Sequence, residues 1–141
     1  STISGTSAGA AVMSKYMITG KELQGDTAYK ATFNKLWKNN IEFEEGLGLL
    51  DSVIIDQHFI KRSRYNRLLS ALDAKPNFEC IGIDESTALM VHKNKATVFG
   101  ESQVLRFSNL ENENIIEHST LIKFRDVKFS AFVAGDGFVI K

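Results

Sequence analysis

The first ten residues, STISGTSAGA, contain residue types that could carry out nucleophilic catalysis. Gly5, Ser7 and Gly9 form the pattern G-x-S-x-G, which is typical of a strained turn that presents a serine hydroxyl between a strand and a helix. Glycine on both sides of the serine leaves room for the bend, and the N–H of Ala8 would face a developing oxyanion. The alternative is a glycine- and alanine-rich turn without a catalytic role. A base and an acid elsewhere in the sequence would favour Ser7 as a nucleophile.

A nucleophilic serine needs a general base, and the sequence offers three histidines. His92 adjoins the polar pair KN, and His118 lies in the polar stretch NENIIEHST, so we expect both at the surface or in turns. His58 differs because it closely follows the apolar run SVIID, which predicts a buried strand over residues 52–56. Active-site residues of α/β sheets collect at the carboxyl ends of strands, which makes His58 the candidate base. A histidine bonded to a loop carbonyl is the alternative.

Two acidic residues follow the next predicted strand, CIGI, much as His58 follows the first. Asp84 and Glu85 are adjacent, and strand alternation directs their side chains to opposite sides, so only one of them can meet His58. The chain order is serine, histidine, acid, whereas α/β-hydrolases have serine, acid, histidine. The order therefore disfavours the α/β-hydrolase fold, and the unused acid is expected to cap a turn.

The elements that must position these side chains follow from hydrophobic patterning. We predict a strand end at residues 2–4, a helix over 8–18, a polar loop with a short helix over 20–40, a strand over 52–56, a helix over 61–74 and a strand over 80–83. The segment Lys75-Pro76-Asn77 ends the second of these long helices. After residue 85, short β-rich runs separated by KN, GES and GDG predict hairpins. The predicted class is α/β, in one domain.

Composition argues against several function classes. The chain has 141 residues with 17 Lys+Arg and 17 Asp+Glu, so no overall field favours nucleic acid or a membrane surface as a partner. No segment approaches the roughly 20 apolar residues that a membrane span needs. The lone cysteine, Cys80, lies in an apolar run and predicts a buried structural thiol. We expect no cofactor and no metal site.

Three motifs in order resemble the cyanophycinase family of serine peptidases: GTSAGA, then VIIDQHFIKRSRYNRLL, then GIDESTA. The resemblance covers roughly residues 1–92, and relatives of the family include the aspartyl dipeptidases. It implies a three-layer αβα fold of the class I glutamine amidotransferase-like (flavodoxin-like) type, with C-terminal β-hairpins. It also implies Ser7 as nucleophile and His58 as general base. From the motif G-I-D-E it implies Glu85 as the orienting acid.

A run of arginines follows the candidate base. The family pattern D-Q-H-F-x-x-R-x-R-x-x-R-L is matched at Asp56, Gln57, Arg62, Arg64 and Arg67. Guanidinium groups bind carboxylates through paired hydrogen bonds, so the resemblance implies that the three arginines bind substrate carboxylates. Asp56 and Gln57 would bind the other end of the substrate, for instance the guanidinium of a β-Asp-Arg unit. The alternative is a solvated basic face of a helix.

The resemblance implies hydrolysis of β-aspartyl-linked peptides such as cyanophycin to β-Asp-Arg dipeptides, through an acyl-enzyme on Ser7. The nucleophile of this family lies about midway along the chain, so residues 1–141 are expected to be the C-terminal part of one peptidase domain. The preceding half would be absent or supplied by a separate chain, and exposed strand edges would favour a homodimer or another partner. A cytoplasmic location is expected, with secretion left open.

Three other functions stay open at this level. One is an α-aspartyl dipeptidase, although three arginines suit a more highly charged substrate. Another is an isoaspartyl peptidase subunit in which Ser1 or Thr2 is an N-terminal nucleophile, which would leave the DQHF and GIDE motifs unused. The third is an inactive amidotransferase-like domain with a binding or scaffold role.

Overall fold

The computed structural model describes residues 1–24, 32–109 and 120–140, which form a mixed α/β structure. Over these ranges the helices are α1 (Ala8–Ala11) and α2 (Tyr65–Ala74). The strands are β1 (Tyr16–Glu22), β2 (Ile41–Glu45), β3 (Val53–Gln57), β4 (Glu79–Ile83), β5 (Thr87–His92), β6 (Lys95–Gly100), β7 (Val104–Asn109), β8 (Val127–Phe132) and β9 (Gly137–Val139).

The central element is a four-stranded sheet in the order β3-β4-β7-β8. β3 and β4 are parallel and in register from Val53 opposite Glu79 to Gln57 opposite Ile83, while β7 and β8 join in antiparallel orientation. Both parallel strands are mostly apolar and buried on both faces, as parallel strands usually are. Their carboxyl ends therefore meet side by side at one end of the sheet.

Strand alternation divides the core into two clusters, one on each face of the central sheet. On one face Ile54 and Cys80 pack with Leu68 of α2 and with the two-stranded antiparallel sheet β1-β2, which we call the β1–β2 ribbon. On the other face Ile55 and Ile81 pack with the three-stranded sheet β5-β6-β9. A helix and a ribbon thus cover one side of the central sheet, and a second sheet covers the other.

Packing against β4 fixes the turn that follows β3. The Phe59 ring is fully buried over Gly82 in β4, where an added Cβ would lie 2.4 Å from the ring. The Phe59 N–H donates to the carbonyl of Ile83 (3.3 Å), and the Arg64 N–H donates to the carbonyl of Phe59 (3.0 Å). His58, which lies between β3 and Phe59, is therefore held at the carboxyl end of β3.

Several sequence predictions are confirmed by these elements. The strands predicted over residues 52–56 and 80–83 are β3 and β4, and the predicted hairpins after residue 85 include β5–β6 and β7–β8. The helix predicted over 61–74 begins later, at Tyr65, because the preceding residues form the turn after β3. It ends at Ala74, as predicted. The run TLIKF is not a strand; apart from one bridge to Trp37, residues 120–124 are irregular.

The predicted helix over residues 8–18 is wrong beyond its first turn. α1 has four residues, and the chain soon enters β1. Long-range hydrogen bonds redirect it, because the Lys15 N–H donates to the carbonyl of Leu50 (3.1 Å) and the Ile55 N–H of β3 donates to Ser14 Oγ (3.1 Å). A short apolar segment is compatible with either a helix or a strand. Here the segment forms a strand because β1 pairs with β2.

Two further predictions differ from the structure or fall outside its described part. The predicted strand end at residues 2–4 is wrong, because residues 1–6 are exposed and pair with no strand in the described ranges. The short helix predicted within residues 20–40 falls partly on residues 25–31, which lie outside the described residues, and residues 32–40 contain no helix. Neither helix of the described part has the length and apolar composition required to cross a bilayer.

Replacing Gly82 by alanine should destabilise the protein, because the new methyl group would collide with the Phe59 ring. Overpacking of a filled core costs about 1–3 kcal/mol, which urea unfolding would measure. Gly137→Ala is the matched control, since its Cβ would meet only ordinary contacts, the nearest at 3.5 Å, on another strand. A Gly82→Ala variant as stable as the wild-type protein would contradict the packing of Phe59 on β4.

Candidate active site

Ser7 occupies a strained turn at the start of α1. Its backbone has φ 52° and ψ −124°, a conformation that residues with a side chain rarely adopt. Gly5 is required in this turn, because a Cβ there would lie 2.3 Å from the carbonyl oxygen of Gly9. A Cβ at Gly9 would meet no described atom within 4 Å. Of the two glycines in the pattern, only Gly5 is therefore required by steric hindrance.

The structure brings Ser7, His58 and Glu85 together. Ser7 Oγ lies 2.5 Å from His58 Nε2, and His58 Nδ1 lies 3.0 Å from Glu85 Oε1. An ionised carboxylate only accepts hydrogen bonds, so Nδ1 carries the proton and Nε2 accepts from the Ser7 hydroxyl. This chain of hydrogen bonds suits a nucleophile, a general base and an orienting acid. The side chains of His58 and Glu85 are 28% and 42% exposed, so the group lies at the surface, where a substrate can reach it.

Local backbone geometry holds His58 and Glu85 in these positions. His58 has φ 49°, and its carbonyl accepts from the Arg62 N–H (3.0 Å). Ser86 has φ 53°, and the carbonyl of Glu85 accepts from Thr87 Oγ1 (3.0 Å). A positive φ in a residue with a side chain costs conformational energy and is common at functional sites, and both Ser7 and His58 have one.

The neighbouring acid, Asp84, is engaged elsewhere. One carboxylate oxygen accepts from Ser102 Oγ (2.5 Å) and the other from the Lys61 N–H (2.9 Å). Partial burial opposes ionisation of Asp84, but its hydrogen bonds outweigh burial and hold its pKa below the ordinary value. Asp84 therefore ties the end of β4 to the turn after β3, and Glu85 is the acid that meets His58.

The N–H of Ala8 lies beside the nucleophile. As the first residue of α1 it has no partner within the helix, and it donates no hydrogen bond within the described ranges. An oxyanion formed when Ser7 attacks a carbonyl could accept from this N–H. α1 has only four residues, so the helix dipole contributes little here.

A cavity of about 310 Å³ opens next to this turn, with Ala8 in its lining. Its polar lining residues are Thr19, Glu44, Gln57, Arg64 and Arg67. Thr19 and Glu44 belong to the β1–β2 ribbon, and the others belong to β3 and α2 or its N-cap. The cavity therefore lies beside Ala8, the residue after Ser7, and has an acidic residue on the ribbon side and two arginines on the other.

Asp56 and Arg67 form a buried ion pair beside the arginine wall. Asp56 is 1% exposed, and its two carboxylate oxygens accept from Arg67 Nε (2.6 Å) and Nη2 (2.5 Å). Arg64 Nη1 lies 3.7 Å from Asp56 and donates to the carbonyl of Gln57 (2.8 Å). Asp56 is thus enclosed and bound on both oxygens by Arg67. Its contact with a substrate guanidinium stays a prediction.

The guanidinium groups of Arg67 and Arg64 both lie near the carboxylate of Asp56. Burial, and then the charge of Arg67, lower the pKa of Arg64 to about 10, although Asp56 offsets part of this effect. Arg64 is therefore still protonated at neutral pH. Arg62 is exposed and does not line the cavity, so the structure brings Arg64 and Arg67, but not Arg62, to this space.

The remaining candidate residues take no part in this site. His92 is exposed at the end of β5, in agreement with its predicted surface position. His118 lies outside the described residues. Cys80 is fully buried, and burial raises the pKa of its thiol, so the predicted structural role is confirmed.

Sequence reasoning missed the β1–β2 ribbon and therefore its two polar residues in the cavity. Residues 16–22 are predicted as helix and loop, and residues 41–45 have no predicted element, so neither Thr19 nor Glu44 is a candidate from the sequence. The alternation of apolar and polar side chains in IEFEE is a signal that could have identified β2, whereas YMITG shows no such alternation.

Known proteins resemble this chain over its first two thirds. Residues 1–99 match the model of peptidase family S51. The chain is 42% identical over 93 residues to the cyanophycinase of Trichormus variabilis, which covers 66% of this chain and 28% of that protein. It is 43% identical over 94 residues to the cyanophycinase of Geminocystis herdmanii, covering 67% of this chain and 31% of that protein. The matched part of the chain thus spans less than a third of the length of these relatives.

Replacing Arg67 by methionine should destabilise the protein by about 3 kcal/mol, because the buried Asp56 carboxylate would lose its paired hydrogen bonds. This value is at the low end for broken buried ion pairs, since Arg64 stays nearby. The exposed Arg62→Met variant is the matched control, and its free energy of unfolding in urea should change by about 0.5 kcal/mol or less. Equal stabilities of the two variants would contradict the buried pair.

Proposed function

The chain belongs to peptidase family S51, and from this membership and its site geometry we propose that it hydrolyses peptides with β-linked aspartate. The proposed substrate is a cyanophycin-type polymer, and the proposed products are β-Asp-Arg dipeptides. The observation that carries the proposal is the chain of hydrogen bonds from Ser7 through His58 to Glu85. Support for the substrate comes from the relatives named cyanophycinase and from the guanidinium groups of Arg64 and Arg67 in the cavity lining.

In the proposed acylation step, Ser7 Oγ attacks the carbonyl carbon of the backbone amide that joins two aspartates of the polymer, while His58 Nε2 takes the hydroxyl proton and the β-linkage to arginine stays intact. Glu85 accepts from Nδ1–H and stabilises the imidazolium that forms. The Ala8 N–H donates to the oxyanion of the tetrahedral intermediate. When the intermediate collapses, the C–N bond breaks, and Nε2–H gives its proton to the leaving amine.

In the proposed deacylation step, water attacks the ester carbonyl on Ser7, and His58 takes a proton from the water. The bond between the acyl carbon and Ser7 Oγ then breaks, and His58 returns the proton to Oγ. The product leaves with a free carboxylate, and the site is restored for a further cycle. The roles of His58 as base and acid alternate as microscopic reversibility requires.

The charge of the cavity favours a substrate that carries carboxylates. We propose Arg64 as the group that binds a substrate carboxylate, because its guanidinium lines the cavity and is protonated at neutral pH. Arg67 reaches the same wall but is held by Asp56, so its main effect is through the position and charge of Arg64. The exposed Arg62 would act at the rim, on longer substrates.

The fold and assembly of the enzyme are part of the same proposal. A parallel β3–α2–β4 unit is the building block of three-layer αβα sheets, which supports a class I glutamine amidotransferase-like architecture. We propose that residues 1–141 correspond to the C-terminal part of the peptidase domain of the relatives. A homodimeric state and a cytoplasmic location belong to this proposal.

Ser7→Ala should abolish hydrolysis of cyanophycin by the intact protein, with a loss on the order of 10⁶ in kcat, because the nucleophile and its base act as a unit. The circular dichroism spectrum should stay that of the wild-type protein. Ser63→Ala is the matched control, since Ser63 is also exposed and has a similar positive φ of 47°, but lies outside the hydrogen-bond chain. Activity that persists in the Ser7→Ala variant would exclude the proposed mechanism.

A further inference from the structure

We infer that Glu44 determines specificity by binding the cationic group of the substrate. The inference rests on the proposed peptidase function and concerns the part of the cavity built by the β1–β2 ribbon. It assigns to the cavity a ligand with charges of both signs. The carboxylate of this ligand would face Arg64, and its guanidinium would face Glu44.

Glu44 lines the same cavity as Arg64 and Arg67 but carries the opposite charge. It lies on β2 in register with Met17 of β1, which also lines the cavity. Glu44 is exposed, and among residues 1–24, 32–109 and 120–140 it forms no hydrogen bond or ion pair through its carboxylate. A carboxylate in this state can bind a cationic ligand without first breaking an internal contact.

The other carboxylates near the cavity are engaged or directed away. Asp56 is buried and bound by Arg67 on both oxygens. Glu42, two residues before Glu44 on β2, accepts from Thr19 Oγ1 (2.9 Å). Glu45 follows Glu44 directly, so strand alternation turns its side chain to the other face of the ribbon. Among the described lining residues, Glu44 is therefore the acidic group that a ligand can reach.

Gln57 supplies a second acceptor in the same cavity. Its Oε1 atom is buried and has no hydrogen-bond partner among the described residues. Native structures rarely leave a buried acceptor unpaired, and this atom is available to accept from a donor on a ligand in the cavity. A guanidinium carries five N–H donors in one plane, so it can donate hydrogen bonds to a carboxylate and to an amide oxygen at the same time. The two acceptors favour arginine as the basic residue of the ligand.

Equilibrium binding of two dipeptides tests the role of Glu44. In the Ser7→Ala background, which prevents turnover, isothermal titration calorimetry would compare β-Asp-Arg with β-Asp-Ala. Glu44→Gln should raise the Kd for β-Asp-Arg by about tenfold and leave the Kd for β-Asp-Ala within about twofold, because only the first peptide carries a cationic side chain. Glu45→Gln is the matched control and should change neither value. Glu44→Asp, which keeps the charge, should retain most of the preference for β-Asp-Arg.

Equal changes for the two peptides in Glu44→Gln, or no change for β-Asp-Arg, would overturn the inference. The same conclusion would follow if the parent protein bound β-Asp-Arg no better than β-Asp-Ala. Circular dichroism would establish that each variant is folded. Failure of the wild-type protein to hydrolyse cyanophycin would contradict the proposed function instead, and the binding comparison would still decide the role of Glu44.

Discussion

The in-register parallel pairing of β3 with β4 determines the geometry of the whole site. The pairing ends at Gln57 opposite Ile83, so the residues that follow the two strands emerge side by side. Phe59, packed on β4, fixes the turn that carries His58, and the hydrogen bonds of Asp84 fix the turn that carries Glu85. With the imidazole and the carboxylate held in this way, one strained turn is enough to bring the Ser7 hydroxyl to Nε2.

A second feature of the site is its arrangement of buried charge. Asp56 at the end of β3 binds Arg67 of α2 inside the protein, where a lone carboxylate or guanidinium would be strongly unfavourable. This pair joins the helix to the strand and also brings Arg64 to the cavity wall beside it. Both arginines line the cavity, so its wall offers guanidinium groups to an anion. The β1–β2 ribbon places Glu44 on the same cavity, and the combination favours a ligand with charges of both signs.

The parts of this arrangement that follow from local sequence could be predicted. Each apolar run that ends in polar residues marks a strand and its carboxyl end, so the amino-acid sequence is sufficient to predict that His58 and the acidic pair Asp84-Glu85 are neighbours. The β1–β2 ribbon could not be predicted in this way, because its strands are separated by a long segment and a tertiary hydrogen bond to Ser14 ends the helical pattern early. The role of Asp56 could not be predicted either, since a sequence does not show whether a carboxylate faces a substrate or a buried arginine.

Labelling of the folded, intact protein with a fluorophosphonate probe, followed by mass spectrometry of its peptides, tests most directly whether Ser7 is an activated nucleophile. One covalent adduct on Ser7 is expected, and it should decrease strongly in a His58→Ala variant, because the hydroxyl would lose its proton acceptor. Absence of labelling at Ser7, or labelling of Ser7 that is as fast in the His58→Ala variant, would contradict activation of the serine by the histidine.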